Sequence, residues 1–266
     1  MNRQRWLTPY SDLLAEMSDV ILETSGLSRV FGGFFAVNGV DIKVREGTIH
    51  VLIGPNGAGK TTCFNLLSKF LQPTDGSIHL AGQDITNMKP AAVARLGMVR
   101  SFQISATFSS MSVLENVRLA LQRKRGGSYD FWRGEKILCE MNAQARGLLE
   151  DVGLADYEDT AAGLLPYGHK RALEIATTLA LDPKVMLLDE PTAGMTHEDV
   201  DRVVALIRRI RKGRTLLIVE HNLSVVEGLC DAVTVLTRGS ILTEGDYASV
   251  SKHPDVIAAY LGTAHG

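Results

Sequence analysis

The sequence predicts an α/β fold built around a mixed β-sheet, with an antiparallel β subdomain near the N-terminus and an inserted helical subdomain. Short apolar runs typical of buried strands alternate with segments of helical spacing across most of the chain. Gly-containing turns join short apolar runs in the first third of the chain, as expected for hairpins. Between about residues 104 and 182 helical spacing replaces the strand pattern, which locates the inserted subdomain.

The composition is that of a globular chain without a strong charge preference. The 266 residues allow one large domain or two small ones, and 45% of them are hydrophobic. A net charge of −2 excludes a bulk electrostatic attraction to nucleic acid or anionic lipid. No run approaches the ~18 apolar residues of a membrane span. Cys63, Cys139 and Cys230 lack the spacing of a metal site, which indicates buried thiols in a reducing compartment.

Residues 1–19 are expected to form a loose N-terminal tail, and residues 20–266 the folded domain. The tail lacks the apolar stretch of a signal peptide. Its acidic residues favour a tail over a helix that lies on a membrane surface. Patterned sequence begins at Met17, so Met17 is a second candidate for the initiator.

The first patterned segment indicates two strands joined by a tight turn. They are predicted over Val20–Thr24 and Phe35–Val44, with the turn at Gly32 and Gly33. Phe31 directly precedes this turn. Its ring is either a stacking partner for a nucleotide base or an ordinary aromatic residue of the hairpin, and position alone favours the second interpretation.

A phosphate-binding loop follows the next strand, which is predicted over Thr48–Ile53. The loop matches G-x-x-x-x-G-K-[ST] and comprises Gly54, Pro55, Asn56, Gly57, Ala58, Gly59, Lys60, Thr61 and Thr62. Glycines let backbone N–H groups turn toward a triphosphate, and the Lys60 ammonium adds a charge for the β- and γ-phosphates. The Thr61 hydroxyl is the expected Mg²⁺ ligand, and a helix predicted over Lys60–Leu71 directs its positive end at the anion. A strand, this loop and a helix together predict a P-loop nucleoside triphosphatase.

The middle of the chain alternates strand and helix patterns. A second hairpin is predicted from Asp75–Leu80 and Ala81–Ile85. The next apolar run leads into Gln103, and a glutamine at a strand end is able to orient water and complete a metal shell. Helical spacing over Glu135–Val152 marks the insert, and residues 123–127 are predicted to be a solvated charged loop.

Two buried strands in the second half end in polar side chains. Val185–Leu188 runs into Asp189 and Glu190, which predicts a central strand that presents carboxylates at its C-terminal end. Asp189 is expected to hold Mg²⁺, and Glu190 to activate water. Thr215–Val219 ends just before His221, which is expected to face the same crevice and to hydrogen-bond the γ-phosphate.

The remaining segments indicate a second anion site and the end of the fold. Leu165–His169 precedes a helix predicted over Lys170–Leu181, so that Gly168 lies at a helix N-terminus. An edge hairpin is predicted from residues 232–243, and a short helix over Pro254–Leu261.

Taken together, these motifs resemble the ATP-binding subunit of an ABC transporter. The resemblance covers nearly everything from Val20 onward and rests on an ordered set, namely Phe31, GPNGAGKTT, Gln103, LPYGH, VMLLDEP, Ala193–Met195 and Glu220–His221. Four further stretches resemble the branch that takes up branched-chain amino acids, amides or urea: RVFGGFFAVNGV, LEIA, DEPTAGM and VIAAYLG. This resemblance implies ATP and Mg²⁺ as cofactors and ATP hydrolysis as the reaction.

The resemblance also implies roles for single residues. Phe31 matches the aromatic residue that stacks on adenine, Gln103 the glutamine that links nucleotide to the membrane subunits, and His221 the switch histidine. Glu190 polarises water, while Lys60, Gln103 and His221 stabilise the transition state, and Thr61, Gln103 and Asp189 hold the metal. The signature motif, which closes over ATP held by a second subunit, is matched by Tyr167, Gly168 and His169.

The implied partners are a second ATP-binding subunit, identical or paralogous, two membrane permease subunits and, indirectly, a periplasmic binding protein, with no nucleic acid. The implied location is the cytoplasmic face of the inner membrane, held there by the permeases. Urea or short-amide uptake, a lipopolysaccharide-type exporter and a non-transport ABC ATPase are the alternatives; a single cassette and near-neutral charge disfavour the last. Three departures stand out: His169, Thr177 and Ser68–Lys69 occupy positions where Gln, Arg and Gly are usual.

Overall fold

A computed structural model gives the fold and describes residues 19–101, 107–124 and 135–261. Its strands are, in chain order, β1 (Val20–Phe31), β2 (Phe34–Val40), β3 (Lys43–Arg45), β4 (Ile49–Ile53), β5 (Asp75–Leu80), β6 (Gln83–Asp84), β7 (Met98–Ser101), β8 (Val185–Asp189), β9 (Thr215–Val219), β10 (Ala232–Thr237) and β11 (Ser240–Gly245). Its helices are α1 (Lys60–Leu67), α2 (Pro90–Arg95), α3 (Val113–Lys124), α4 (Glu135–Val152), α5 (Tyr167–Leu179), α6 (His197–Ile210), α7 (Leu223–Leu229), α8 (Tyr247–Val250) and α9 (Pro254–Leu261).

The central sheet of the described residues has the strand order β11-β10-β4-β9-β8-β7. Its strands from β10 to β7 are parallel, and β11 pairs antiparallel with β10 at the edge, which confirms the mixed sheet and the edge hairpin. Strand β8 packs Met186 and Leu188 into one hydrophobic cluster, and Val185 and Leu187 into another. Because the sheet is covered on both faces, its strands are almost continuously apolar, which is the pattern that made them recognisable.

A second sheet is antiparallel, with the strand order β2-β1-β5-β6 and β3 also paired to β1. This arrangement confirms the predicted N-terminal subdomain, but two predicted strand bounds are wrong. Strand β1 continues past Thr24 to Phe31, with register irregularities where polar residues interrupt the apolar alternation. The stretch predicted as Phe35–Val44 is divided between β2 and β3.

Helices α3, α4 and α5 lie between β7 and β8 in the chain and form the inserted helical part. Their apolar faces share one cluster that includes Val117, Leu149 and Leu173. The bounds of α4 agree with the prediction. Residues 123–124 form the end of α3 rather than a loop, whereas residues 125–127 lie outside the described residues.

Two further helix predictions differ from the structure. Helix α1 stops at Leu67 instead of Leu71, because Lys69 takes a left-handed φ of 64° and the Leu71 N–H donates back to the carbonyl oxygen of Asn65 (3.0 Å). Helix α5 begins at Tyr167, three residues earlier than predicted. Helices α2, α6, α7 and α8 were not predicted, although Thr196 caps the N-terminus of α6.

The two cysteine thiols that the structure describes are withdrawn from solvent. Cys63 is fully buried and Cys230 half-buried, and burial raises the pKa of these thiols to about 12 and about 11, respectively. Within the described ranges, no helix is both long and apolar enough to cross a membrane.

Candidate active site

The predicted site lies where neighbouring parallel strands of the central sheet end. Strands β4, β9 and β8 are adjacent, and their C-terminal ends are in register: Leu52 pairs with Val219, and Val219 with Asp189. The phosphate loop leaves β4, Glu190 follows β8, and His221 follows β9. Because parallel strands end at the same edge, the phosphate loop, the acidic pair and the histidine meet there.

Close backbone contacts on both sides explain the glycines of the phosphate loop. A Cβ on Gly54 would lie 2.2 Å from the carbonyl oxygen of Leu236, and one on Gly59 would lie 2.4 Å from that of Ala36. Both residues, and Gly57 between them, have positive φ. The loop is therefore clamped between β10 and β2 in a conformation that only glycine adopts without strain.

Lys60 lies beneath the loop rather than in solvent. Its ammonium donates to the carbonyl oxygens of Gly54 (2.6 Å) and Pro55 (3.0 Å). Burial lowers the pKa of Lys60, and the nearby Glu190 carboxylate opposes this shift. The structure thus brings Lys60 and Glu190 together, as the sequence predicted for one site. Pro55 and Thr62 are half-buried and Ala58 is buried, whereas Asn56 and Thr61 are exposed.

The adjacent acids Asp189 and Glu190 face different partners. Glu190 has a left-handed φ of 43° and its N–H donates to the carbonyl oxygen of Val219 (2.9 Å), so the backbone turns sharply after β8. The Glu190 carboxylate lies 3.8 Å from Nδ1 of His221. The Asp189 carboxylate instead pairs with Arg100, at 2.5 Å between Oδ2 and Nη2. A strained backbone at this position is typical of functional sites.

Glu220 organises the loops around His221, a role that sequence reasoning missed. This carboxylate is 1% exposed. It accepts the backbone N–H groups of Thr192 (3.3 Å), His221 (2.9 Å) and Asn222 (3.2 Å), and also the Thr192 hydroxyl. Several donors satisfy a buried negative charge, so Glu220 fixes the loop after β8 to the loop after β9. An acid directly after four apolar residues, Leu216–Val219, was the available signal.

Phe31 ends β1, and the strand paired with it, β2, passes close to the phosphate loop. Phe31 pairs with Phe34 across the Gly32–Gly33 turn, and β2 then carries Ala36, whose carbonyl oxygen contacts Gly59. The Arg29 guanidinium lies over the Phe31 ring, 4.7 Å from its centroid. The Phe31 residue remains 44% exposed, so its ring is available for stacking.

The signature residues face parts of their own chain. The Tyr167 hydroxyl donates to the carbonyl oxygen of Ala193 (3.3 Å), and the His169 ring packs against Tyr157 with 4.7 Å between centroids. A Cβ on Gly168 would lie 2.8 Å from Oδ1 of Asp199. Within the described residues, no hydrogen bond, ion pair or ring contact joins Tyr167, Gly168 or His169 to the phosphate loop.

The predicted metal ligands suit Mg²⁺ only in company with phosphate oxygens. The Thr61 hydroxyl is exposed in the first turn of α1, and Oδ1 of Asp189 has no hydrogen-bond partner in the part of the chain described. No cluster of three His, Cys, Asp or Glu side chains there forms a complete metal cage. Mg²⁺ characteristically takes one or two protein ligands together with substrate phosphates and water, so this donor set fits. Gln103 lies outside the described residues.

Comparisons with known proteins agree on one family. A protein-family model described as ABC transporter matches residues 37–193, and another, described as branched-chain amino acid ATP-binding cassette transporter, matches residues 240–266. The high-affinity branched-chain amino acid transport ATP-binding protein BraF of Pseudomonas aeruginosa is 40% identical over 258 residues, 93% of this chain and 100% of that protein. LivG of Escherichia coli K12, named for the same transport, is 38% identical over 255 residues, with 93% and 100% covered.

Solved structures give the same result. The ATP-binding cassette MJ1267 of an ABC transporter, in its ADP conformation, has a TM-score of 0.81 at 33% identity, covering 91% of this chain and 99% of that one. CbiO1 of Clostridium perfringens, part of the ABC transporter complex CbiONQ, has a TM-score of 0.76 at 27% identity, with 90% and 94% covered. The predicted P-loop ABC ATPase fold is therefore confirmed, and this chain belongs to the ABC transporter family as an ATP-binding subunit whose characteristic reaction is ATP hydrolysis.

Proposed function

We propose that this subunit drives uptake of branched-chain amino acids by hydrolysing MgATP. The observation that carries the substrate class is 40% identity to BraF, a branched-chain amino acid transport protein, over 93% of this chain. The match of residues 240–266 to a branched-chain amino acid cassette model supports the same class. The alternatives of amide or urea uptake, lipopolysaccharide-type export and a non-transport ATPase are not favoured by these relatives.

The proposed reaction assigns one task to each residue at the strand ends. Glu190 takes a proton from the attacking water, and His221, 3.8 Å from it, hydrogen-bonds the γ-phosphate. Lys60 exchanges its loop carbonyl partners for phosphate oxygens. Thr61, Asp189 and Gln103 are the proposed metal ligands, and bound Mg²⁺ would neutralise part of the phosphate charge.

The proposed assembly contains a second ATP-binding subunit, identical or paralogous, and two membrane permeases supplied by a periplasmic binding protein. Tyr167, Gly168 and His169 lack contacts with the phosphate loop of their own chain, which supports completion of each ATP site by the partner's signature. Attachment to the permeases accounts for the proposed location at the cytoplasmic face of the inner membrane. The proposed domain comprises residues 20–266, with the helical subdomain at about 104–182 and residues 1–19 as a tail.

The test compares Glu190→Gln with Lys60→Ala in the chain assembled with its permeases. Removing a general base typically lowers a rate by about 10²–10⁴-fold. Glu190→Gln is therefore expected to lose phosphate release by that factor while it retains MgATP affinity. Lys60→Ala is expected to weaken ATP binding itself. Phosphate release and fluorescent-nucleotide titration measure the two effects.

Near-wild-type turnover of Glu190→Gln would contradict the general-base assignment. The substrate class is tested separately, by uptake of radiolabelled leucine, acetamide and urea into vesicles that contain the full transporter. Leucine uptake that requires ATP supports the proposal, whereas uptake of only acetamide or urea would overturn the substrate class without affecting the ATPase assignment.

A further inference from the structure

Arg100 pairs directly with the carboxylate proposed to hold the metal. It projects from β7, the strand next to β8, and its Nη2 lies 2.5 Å from Oδ2 of Asp189. Both side chains are largely withdrawn from solvent, at 14% and 13% exposure. A pair this well shielded interacts more strongly than one at the surface.

Other contacts hold the Arg100 guanidinium in place. Its Nη1 donates to Oδ1 of Asn65 (2.6 Å) and to the Ser68 hydroxyl (3.2 Å), which lie at the end of α1. The rings of Phe64 and Phe70 lie beside it, at 5.1 and 5.5 Å from Cζ to centroid. The cation is therefore fixed by the helix that follows the phosphate loop.

A fixed cation affects a metal at the same carboxylate in two opposite ways. It orients the carboxylate, which favours binding of Mg²⁺. It also repels the divalent ion, because like charges a few ångströms apart in a shielded site repel strongly. Asp189 is already held in place by its pairing in strand β8 and by the hydrogen bond that Arg171 Nη2 donates to its carbonyl oxygen (2.9 Å). Orientation by Arg100 therefore adds little, and repulsion is the larger effect.

We propose that Arg100 is a resident counter-ion of Asp189 that competes with Mg²⁺, so that the metal binds firmly only when nucleotide supplies phosphate oxygens. This inference rests on the proposed role of Asp189. Arg100 keeps the buried carboxylate compensated before nucleotide arrives, and it discourages binding of free Mg²⁺. It is a positioning residue and has no contact with the reacting atoms.

The experiment measures the apparent Mg²⁺ dissociation constant by titrating MgCl₂ into the full chain saturated with a slowly hydrolysed fluorescent ATP analogue. Arg100→Met is expected to lower this constant by about fivefold or more, the lower end of typical coupling between sites. Arg100→Lys retains the charge and is expected to stay within about twofold of wild type. Arg95→Met, an exposed residue on α2, removes the same charge elsewhere and serves as the control.

Two further measurements separate competition from misfolding. Without nucleotide and in EDTA, Arg100→Met is expected to melt at a lower temperature than wild type, because Asp189 is then uncompensated. The double variant Arg100→Met with Asp189→Asn is expected to lose the gain in Mg²⁺ affinity. Circular dichroism confirms that each variant is folded, and Arg100→Gln replaces Arg100→Met if the latter is not.

Weaker Mg²⁺ binding by Arg100→Met would show that orientation dominates and would overturn the proposal, as would an unchanged constant. A gain that persists in the double variant would also overturn it. The readout is equilibrium metal binding, so it does not depend on turnover. Failure of the proposed ATPase roles would appear instead in the Glu190→Gln and Lys60→Ala assays.

Discussion

The Phe31 ring has one covered face, under Arg29, and sufficient exposure on the rest to accept a base. Stacking of a base on an aromatic ring is worth about 1–3 kcal/mol in nucleic-acid systems. Phe31→Ala is therefore expected to raise the ATP dissociation constant by roughly tenfold to a hundredfold, and Phe31→Tyr to leave it nearly unchanged. Fluorescence titration with ATP measures both constants.

Phe34 provides a matched control for this prediction. It lies opposite Phe31 in the same hairpin and is 68% exposed, so Phe34→Ala removes an equivalent ring at an equivalent position. The ATP affinity of Phe34→Ala is expected to stay within about twofold of wild type. A change of that size corresponds to well under the ~1 kcal/mol at the lower end of base stacking. Equal losses in both variants would mean that the hairpin, and not the Phe31 ring, supports binding; no loss in either would make Phe31 an ordinary hairpin residue.

At the scale of elements, Arg171 forms a buried ion pair within helix α5 and links that helix to strand β8. Arg171 Nη1 donates to Oε2 of Glu174 (2.6 Å), and both residues are at most 5% exposed. Arg171 also donates to the carbonyl oxygen of Asp189 (2.9 Å). Removing one partner of a buried pair typically costs about 3–5 kcal/mol, because it leaves an uncompensated charge. Arg171→Met is expected to lower the free energy of unfolding by about 3 kcal/mol, measured by urea denaturation.

The pH dependence gives this prediction a second readout. Burial raises the pKa of Glu174, and Arg171 opposes that shift. Without Arg171 the folded-state pKa of Glu174 rises further above its unfolded value, so protonation on folding relieves the penalty as pH falls. The destabilisation of Arg171→Met is therefore expected to be smaller near pH 5.5 than near pH 8.

Two further variants serve as controls for Arg171→Met. Replacing both residues by Met is expected to recover most of the stability, since an apolar pair of similar volume is often neutral. Arg202→Met removes an exposed partner of Glu198 on α6 and is expected to cost less than about 1 kcal/mol. A loss below about 1 kcal/mol for Arg171→Met at both pH values would mean that the pair does not anchor α5.

Elements with a continuous or periodic apolar pattern could be predicted from the sequence, and those fixed by distant contacts could not. Strands β8 and β9 and helix α4 have the predicted bounds or nearly so. A strand buried on both faces is a continuous apolar run, and a helix buried along one stripe has apolar residues at helical spacing, so both patterns are visible in the sequence. Helix α1 ends early because Lys69 takes a left-handed conformation, which the periodicity of apolar residues does not indicate.

Site residues follow the same division. The residues of the phosphate loop follow one another in the chain, and so do Asp189 and Glu190. A local motif was therefore enough to predict each of the two groups. Arg100 and Asp189 are separated by 89 positions and meet only because β7 and β8 pair in the sheet. Glu220 likewise acquires its role only when the loops after β8 and β9 come together. The sequence marks the position of Glu220 by the apolar run before it, but it gives no signal of the partners that either residue meets across the fold.

For the whole molecule, the proposed dimer requires each signature to close over nucleotide on the other chain, and Gly168 tests that requirement. An aspartate at this position faces Asp199 of its own chain, because a Cβ there would lie 2.8 Å from Oδ1 and 3.2 Å from Cγ. It would also bring a negative charge to the helix end that meets the partner's phosphate. Two causes of inactivity are thus possible, and an Asp199→Ala background separates them by removing the atoms that crowd residue 168.

Gly168→Asp is expected to keep the ATP affinity of the single chain within about threefold of wild type, because the signature does not contact its own phosphate loop. It is expected to lose turnover by about 10²–10³-fold, as when one donor to a transition-state anion is removed. In the Glu190→Gln background it is expected to prevent ATP-dependent dimerisation in size-exclusion chromatography. If repulsion across the dimer is the cause, adding Asp199→Ala restores neither property, since the partner's phosphate still meets a carboxylate. Restoration by Asp199→Ala, which alone should remain active, would place the defect inside one chain and contradict closure across the dimer as its cause.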